Sequence, residues 1–297
     1  MTTTTVAVIG NGVMGSAMAA RLIDAGQSVR VWNRSGEPME VLGKAGAVVA
    51  RDPSDAVAGA TVVITMLPTA HVTTEVMVSG GVLDVIAPGA VWAQMGTIGI
   101  DATRAFDEVV HDRRPEVLFV DAPVSGSKVP AERGELIILA SGPPPAAAIV
   151  DPVFDVIGKR TLWLGPAGMG SRMKLVLNTW LAFEIEAAAE IAALTDAFGI
   201  PDDMLTTTIA GSPLVSTFAA TKLAKMQARD ERTEFSLGWA LKDLDLMADA
   251  APSGATPIAR AIAERWRGLV ADGAGSLDVS AARRGLDIGA SEDGDAT

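Results

Sequence analysis

The chain has 297 residues, enough for two domains of ordinary size, and hydrophobic side chains make up 49% of it. Its formal net charge is −12 at pH 7, so the sequence offers no basic surface for nucleic acid or anionic lipid. It has no cysteine and no tyrosine, and its histidines, His71 and His111, lack the spacing of metal ligands. These absences exclude disulfide scaffolds, thiolate zinc sites, cysteine nucleophiles and phenol acid–base chemistry, and we expect no bound metal.

Short apolar runs alternate with amphipathic segments in the first half of the chain, which predicts a parallel sheet with helices on both faces. The predicted strands cover residues 5–10, 28–32, 47–50, 61–66, 90–95, 117–121, 135–141 and 160–164. A strand begins almost at Met1, and charges interrupt every apolar run before it reaches a membrane-spanning length. We therefore expect no leader peptide, no membrane span and a cytoplasmic location.

The pattern changes after about residue 165. Residues 169–198 are rich in Ala, Leu and Ile, contain no proline and predict one long helix that ends at Gly199. Further helices are predicted at 202–210, 213–225, 236–251, 256–270 and 279–287. The fold class is therefore an α/β domain (1–165), a connecting helix (166–198) and an all-helical domain (199–289), with a frayed acidic tail at 290–297.

A glycine-rich turn follows the first predicted strand. Gly10, Gly12 and Gly15 have the spacing G-x-G-x-x-G, in which they serve a tight turn, close approach of a pyrophosphate and close helix–strand packing. The first helix then presents its free N–H groups to phosphate. The alternative is a purely structural tight turn, but the strand–turn–helix context favours dinucleotide binding. The predicted cofactor contacts in the turn are Gly10, Asn11, Gly12, Val13, Met14 and Gly15.

The end of the second strand selects the cofactor. An acidic residue there would bind the ribose 2′-hydroxyl of NAD, but this chain has Asn33, Arg34 and Ser35. A guanidinium can pair with a 2′-phosphate, and a serine can add a hydroxyl contact. Arg34 can also be an ordinary solvated residue. The absence of an acid favours NADP(H) over NAD(H).

Two later loops follow the carboxyl ends of strands, where ligands of open parallel sheets bind. Met66, Leu67 and Pro68 can form an apolar wall for a nicotinamide ring, and Thr97 offers a hydroxyl. Each segment taken alone can equally be an ordinary loop.

The residues of a substrate site come next. The N–H groups of Ser125 and Gly126, with the serine hydroxyl, can form a small nest for a carboxylate, although a plain turn has the same composition. Lys174 lies near the start of the long helix, one turn before Asn178. Apolar neighbours and the positive end of the helix dipole are expected to lower the pKa of Lys174, as a proton donor requires. Alternatively, its ammonium extends into solvent.

The ordered segments GNGVMGSAMA, MLPT, DAPVSGS, GPAGMGSRMKLVLN and FSLGWALKDLDL resemble the β-hydroxyacid dehydrogenase family over nearly the whole chain. This family includes 3-hydroxyisobutyrate dehydrogenase and is related to 6-phosphogluconate dehydrogenase. The resemblance implies a Rossmann NADP-binding domain, a connecting helix and a helical domain that completes a homodimer, or a tetramer. It also implies that Lys174 is the proton donor, that Asn178 is its companion, and that Ser125, Gly126 and Thr97 bind substrate.

The segments GSKVPAERGELIILASG and FDVIGKR are similar to the glyoxylate/succinic semialdehyde reductases, a branch that prefers NADPH. In that branch the residues matching Phe235 and Asp243 line the substrate site, and Lys242 matches a cofactor-binding lysine. The segment QMGTIG departs from the family's Asp-x-Ser-Thr, so Gln94 and Gly96 put the contacts of that loop in doubt.

The resemblance predicts an NADPH-dependent reductase of small carboxylated aldehydes or ketones, or the reverse oxidation of β-hydroxyacids. An imine reductase on the same architecture is the first alternative, although Lys174 and DAPVSG argue against it. A non-catalytic NADP-binding sensor or scaffold is the second. The substrate itself, among glyoxylate, succinic semialdehyde, methylmalonate semialdehyde and tartronate semialdehyde, is left open.

Overall fold

A computed structural model of the chain describes residues 4–252 and 254–286. The predicted acidic tail at 290–297 lies outside the described residues. The chain divides into two compact units, the first ending at Lys174 and the second beginning at Leu175. The long helix contains this boundary, and each unit is described by itself below. No helix within the two described stretches is both long and apolar enough to cross a membrane.

The first unit is built on a six-stranded parallel sheet. Its strands are β1 (Thr5–Ile9), β2 (Ser28–Trp32), β3 (Val48–Val49), β4 (Val62–Thr65), β5 (Val91–Gln94) and β6 (Leu118–Asp121). The spatial order is β3-β2-β1-β4-β5-β6. The first three strands are therefore added toward one edge of the sheet and the last three toward the other edge, so the order of the strands switches between β1 and β4. This order is that of the doubly wound dinucleotide-binding fold and confirms the predicted class.

Alternate side chains along the inner strands β1, β4 and β5 enter two separate cores, one on each face of the sheet. Val6, Val8 and Val31 belong to one core, and Ile9 and Trp92 belong to the other. Both faces are buried because helices cover each of them, which accounts for the almost continuous apolar runs in the sequence. The covering helices, with one π-helical turn at Thr74–Ser79, are α1 (Val13–Asp24), α2 (Glu37–Lys44), α3 (Pro53–Val57), α4 (Ala70–Thr73), α5 (Val82–Val85), α6 (Ile100–Arg113), α7 (Lys128–Arg133) and α8 (Ala147–Ile157).

A second, three-stranded sheet follows β6 in the first unit. It consists of β7 (Val124–Ser125), β8 (Leu136–Ala140) and β9 (Gly158–Trp163), in that order. The β7–β8 pair is antiparallel and the β8–β9 pair is parallel. The predicted strands at 135–141 and 160–164 therefore exist but do not extend the parallel sheet. An antiparallel bridge between Asp121 and Ser141 links the end of β6 to the end of β8.

The long helix α9 (Met169–Ala197) was predicted to within one residue at its end, and Gly199 follows it in the left-handed conformation at φ +63°. The helices of the second unit are α10 (Asp202–Ile209), α11 (Thr217–Gln227), α12 (Leu237–Ala250) and α13 (Pro257–Ala271). The start of α11 lies four residues beyond its predicted position, because the Ser216 hydroxyl caps it by accepting from the Ala219 N–H at 3.0 Å.

The prediction of a helix at 279–287 is wrong over residues 279–286, the part of this range that the structure describes. The structure has a five-residue 3-10 helix at Val279–Arg283 instead. The Asp278 carboxylate holds its start by accepting from the Ser280 N–H at 3.1 Å, and Gly285 has a positive φ of +75° that stops it. The segment is buried, and its burial produced the apolar pattern that resembled a longer helix.

Candidate active site

The glycine-rich turn joins β1 to α1, and each glycine has a distinct steric environment. Gly10 has a φ of +92°, and a Cβ on Gly15 would lie 2.0 Å from the Gly10 carbonyl oxygen, so α1 packs directly against the turn. A Cβ on Gly12 would meet no atom within 4 Å. No side chain caps the first N–H groups of α1, which begin after Gly12. The turn therefore leaves open space and free donors at the helix start, which suits a pyrophosphate.

Asn11 supports this turn from inside. Its side chain is fully buried, and Nδ2 donates to the Val8 carbonyl oxygen at 2.9 Å and the Trp32 carbonyl oxygen at 3.0 Å. Its backbone N–H donates to Oδ1 of Asn33 at 3.1 Å. The side chains of Asn11 and Asn33 thus tie the turn to the end of β2. Val13 and Met14 follow in the first turn of α1, where Val13 is exposed and Met14 is half-buried.

The end of β2 presents Arg34 and Ser35 to solvent. Asn33 Nδ2 donates to the Ser35 hydroxyl at 2.8 Å, which orders the short segment after the strand. Arg34 is exposed and forms no hydrogen bond or ion pair with another described residue. Its guanidinium is therefore available to an anion beside the glycine-rich turn.

The loop after β4 divides its three predicted residues between different environments. Leu67 is buried in one of the two sheet cores, Met66 packs against the other, and Pro68 is exposed. A Cβ on Gly10 would lie 2.6 Å from the Met66 carbonyl oxygen, so this loop lies against the glycine-rich turn. Pro68 is the member of the three that solvent reaches most freely.

The loop after β5 is closed by Gln94, a residue for which the sequence suggested no role. Its Nε2 donates to the Gly96 carbonyl oxygen at 2.6 Å, and its Oε1 accepts from the Gly96 N–H at 3.1 Å. Oε1 also accepts from the Thr65 hydroxyl at 3.2 Å. A Cβ on Gly96 would lie 2.4 Å from the Leu67 carbonyl oxygen. Gln94 and Gly96 therefore set the path of the loop to Thr97, which is half-buried.

Ser125 ends the short strand β7, and Gly126 follows with a φ of +131°. A side chain on Gly126 would also lie 2.8 Å from Cδ2 of Leu136. Ser125 is half-buried, and its strand pairs with β8 through Ile137. The tight turn after β7 is thus required by both backbone conformation and space.

The N-terminal turn of α9 is held by side chains from distant strands. Asp121, fully buried at the end of β6, accepts from the Ser171 N–H at 2.7 Å through Oδ2 and lies 2.7 Å from the Ser171 hydroxyl through Oδ1. Ser141 Oγ accepts from the Gly170 N–H at 2.9 Å. Burial raises the pKa of Asp121, and the hydrogen bonds from Ser171 and Ser141 partly offset this rise.

Lys174 follows Ser171 by three residues and is half-buried. The Lys174 side chain is therefore attached to α9 less than one turn from the residues that Asp121 and Ser141 bind. A Cβ on Gly170 would lie 2.2 Å from the Leu139 carbonyl oxygen, so the helix start is also in close steric contact with β8. Together these contacts fix the position of the Lys174 backbone relative to the ends of β6 and β8.

The remaining predicted residues lie in the second unit. Asn178 is buried, and its Nδ2 donates to Oδ2 of Asp243 on α12. Asp243, also buried, forms an ion pair with Lys242 at 2.9 Å, and the Lys242 ammonium lies 5.6 Å from the centroid of the Trp239 ring. Phe235 is half-buried just before α12. The structure thus joins Asn178, Asp243 and Lys242 in one polar cluster inside an otherwise apolar helix packing.

Comparison with known proteins agrees with this architecture. Residues 5–165 match the NAD-binding domain of 6-phosphogluconate dehydrogenase, and residues 168–286 match the NAD-binding domain of NADP-dependent 3-hydroxyisobutyrate dehydrogenase. The fold and the glycine-rich turn therefore define a dinucleotide-dependent oxidoreductase. The chain belongs to the β-hydroxyacid dehydrogenase family.

Three relatives illustrate the family. Glyoxylate/succinic semialdehyde reductase 1 of Arabidopsis thaliana is 33% identical, covering 93% of this chain and 96% of that protein. An NAD-dependent L-serine dehydrogenase of Pseudomonas aeruginosa is 31% identical, covering 95% and 97%. The solved 3-hydroxyisobutyrate dehydrogenase of Mycobacterium tuberculosis with L-serine has a TM-score of 0.85 and 30% identity, covering 95% and 98%.

Proposed function

We propose that the chain is an NADPH-dependent reductase of small carboxylated aldehydes and ketones of the glyoxylate or succinic semialdehyde type. The same site would oxidise β-hydroxyacids in the reverse direction. The observation that carries this proposal is Lys174, half-buried and fixed at the start of α9, in a chain whose first turn is shaped for a dinucleotide.

The proposed mechanism assigns each residue a step. When bound, the nicotinamide supplies a hydride to the carbonyl carbon of the substrate. Lys174 donates a proton to the carbonyl oxygen, which becomes the product hydroxyl, so that one hydride and one proton complete the reduction. Ser125 and Gly126 would bind the substrate carboxylate through a hydroxyl and backbone N–H groups. Thr97 and Phe235 would contact the substrate as well.

The polar cluster in the second unit supports a second group of roles. Asn178, four residues after Lys174 in α9, has a side chain whose orientation is set by its bond to Asp243. Asp243 in turn neutralises Lys242, so neither charge is buried alone. We assign Asn178 to orienting the lysine or the substrate oxygen, and Asp243 to holding Asn178 as well as lining the substrate site. Lys242 remains the proposed cofactor-binding lysine.

Three features support the preference for NADPH. No acidic residue occupies positions 33–35 directly after β2, Arg34 is exposed there, and Ser35 is ordered by Asn33. In the NAD-dependent pattern, a carboxylate at this position would bind the 2′-hydroxyl and repel a 2′-phosphate. The cationic Arg34 favours the phosphate instead.

The exposed apolar face of α9 supports self-association. Large exposed apolar side chains recur there at helical spacing, namely Val176, Trp180, Phe183, Ile191 and Leu194. Trp180 is 66% exposed. Large apolar side chains in such a stripe are typical of an interface between subunits. We propose that a second copy of the chain covers this face in a homodimer.

The test is a spectrophotometric screen of cofactor oxidation with glyoxylate, succinic semialdehyde, methylmalonate semialdehyde, tartronate semialdehyde and one cyclic imine, each with NADPH and with NADH. We expect at least one carbonyl acid to be reduced, with NADPH preferred. Turnover of the imine alone would identify an imine reductase, and no turnover with any compound would favour a cofactor sensor.

The role of Lys174 is tested by Lys174→Ala, which is expected to lower kcat by about 10²–10⁴-fold, the usual contribution of a general acid. NADPH binding should change little, because the glycine-rich turn is intact. Lys159→Ala, which removes an exposed lysine of the same unit, is the matched control and should keep full activity. Full turnover by the Lys174 variant would refute the assignment.

A further inference from the structure

The start of α9 lacks the features that normally stabilise a helix N-terminus. The first turn has no acidic residue, and the sequence MGSRMK instead places Arg172 and Lys174 near the positive end of the helix dipole. The first N–H groups of any helix need acceptors. Here Asp121 accepts from the Ser171 N–H and Ser141 accepts from the Gly170 N–H, and both acceptors come from other elements.

We propose that Asp121 is a positioning residue for the reaction: it caps α9 from the end of β6 and thereby holds Lys174 in place to donate its proton. This inference rests on the proposed function of Lys174. Asp121 does not contact the reacting atoms. It acts through the helix start, which it joins to the carboxyl end of the parallel sheet.

The geometry supports a rigid connection. Ser171 is bound through both its N–H and its hydroxyl, at 2.7 Å each, and Ser141 Oγ also donates to Oδ2 of Asp121 at 3.1 Å. The Asp121 backbone pairs with Ser141 in both directions, at 2.9 Å and 2.8 Å. The carboxyl group is therefore held on both sides. The catalytic geometry of a proton donor tolerates little displacement, since a shift of about 1 Å can cost about 10²-fold in rate.

A hydrogen count identifies the conservative variant. The Ser171 hydroxyl lies 2.9 Å from the Thr103 hydroxyl, and Thr103 donates to the Gly99 carbonyl oxygen at 2.8 Å. In the parent chain the Ser171 hydroxyl donates to Oδ1 of Asp121 at 2.7 Å, whereas an amide N–H at this position would donate to the Ser171 hydroxyl and leave its hydrogen for Thr103. Asp121→Asn provides this donor and keeps an acceptor for the Ser171 N–H. Asp121→Ala removes both.

The experiment is a double-mutant cycle between Asp121→Ala and Lys174→Ala, with kcat measured on the most active carbonyl acid of the screen. We expect Asp121→Ala to lower kcat by about 10²-fold with less than about a threefold change in the KM for NADPH, because Asn11 and Asn33 hold the cofactor turn and share no hydrogen-bond partner with Asp121 among the described residues. In the Lys174→Ala background, Asp121→Ala should lower kcat by less than about threefold. A merely structural role would lower both backgrounds equally, and that result would overturn the proposal.

Asp121→Asn should restore kcat to within about threefold of the parent enzyme. Asp151→Ala is the matched control, because Asp151 accepts a hydrogen bond from Trp163 at 3.0 Å in the same unit and forms no hydrogen bond with the described residues of α9. Should Asp121→Ala fail to fold, Ser141→Ala removes the acceptor of the Gly170 N–H and one donor to Oδ2 of Asp121, and it leaves both contacts between Asp121 and Ser171 in place. Its expected loss of kcat is about tenfold, again absent in the Lys174→Ala background; a loss that persists there overturns the proposal.

Hydrogen exchange separates failure of this inference from failure of the proposed function. The amides of Gly170 and Ser171 should exchange faster in Asp121→Ala and at the parent rate in Asp121→Asn, whatever the substrate. Unchanged exchange in Asp121→Ala would refute the capping role. Full activity of Lys174→Ala together with faster exchange in Asp121→Ala would instead refute the role of the lysine while leaving the cap established.

Discussion

Two neighbouring glycines of the first turn allow cofactor binding to be separated from folding. Gly12→Ala adds a methyl group where no atom lies within 4 Å, and its φ of −71° and ψ of −160° are open to alanine. Gly15→Ala places a methyl group 2.0 Å from the Gly10 carbonyl oxygen. The same chemical change therefore fills open space at one position and causes a backbone clash at the other.

The expected magnitudes follow from these distances. Gly12→Ala should leave the free energy of unfolding unchanged or raise it by up to about 1 kcal/mol, because alanine restricts the unfolded chain. The methyl group would block the approach of a pyrophosphate to the N–H groups of α1. Loss of one or two hydrogen bonds to a charged group costs about 1.5–3 kcal/mol each, so the Kd for NADPH should rise about 10²-fold. Gly15→Ala should destabilise the fold by about 3 kcal/mol through overpacking.

The assay is paired: urea unfolding followed by circular dichroism, and NADPH titration followed by calorimetry. Gly12→Ala should lose affinity for NADPH while it keeps its stability, and Gly15→Ala should lose stability. NADPH binding by Gly12→Ala within about threefold of the parent value would show that the pyrophosphate does not approach this residue. Destabilisation of Gly12→Ala equal to that of Gly15→Ala would show that the open space is not present in solution.

Three further predictions concern other parts of the chain. Arg34→Ala should raise the KM for NADPH by about tenfold and leave that for NADH unchanged in steady-state kinetics, because it removes one charge-assisted contact. Trp180→Lys should convert a dimer to a monomer in light scattering at unchanged circular dichroism, since the side chain is exposed in the single chain. Asp278→Asn leaves the buried Lys222, 2.9 Å away, without its main partner and should cost about 3–5 kcal/mol in urea unfolding at pH 7. Burial raises the pKa of Asp278, but backbone N–H groups and Lys222 lower it more, so the net pKa lies below the ordinary range. The ionised carboxylate therefore stabilises the fold above about pH 4, and the difference between variant and parent should shrink as the pH falls through the folded-state pKa; an equal difference at pH 7 and at the acidic end would refute this.

Elements with a strong local period were predictable from the sequence. The strands β1 and β4 are apolar on both faces, β2 carries alternating buried valines, and α9 is long and free of proline, so each was identified within one or two residues. The second sheet was not separable from the first, because pairing partners and strand direction depend on contacts distant in sequence. The prediction at Val279–Arg283 failed for a related reason, because Asp278 holds the 3-10 helix there through contacts with residues more than 40 positions away.

Some features of the candidate site could likewise be predicted from the sequence, and others could not. The glycine spacing is local, and its steric basis at Gly10 and Gly15 could be stated before the structure was known. The bond from Asn11 to Asn33 could not, because it spans 22 residues and neither amide is distinctive in sequence. Gln94 departs from the family pattern, and only its contacts with Gly96 show that it helps to set the path of the loop.

The N-terminus of α9 shows what signal the sequence did contain. A helix that begins with Met-Gly-Ser, lacks an acid in its first turn and carries Arg172 and Lys174 there should be unstable at that end if considered alone. Yet the chain continues this helix for 29 residues. The inconsistency between a poor local start and a long helix implies an acceptor from elsewhere, and Asp121 at the end of a buried strand is that acceptor. Cationic residues at an uncapped helix start thus point to a distant partner, and in this chain that partner holds the residue proposed to perform the chemistry.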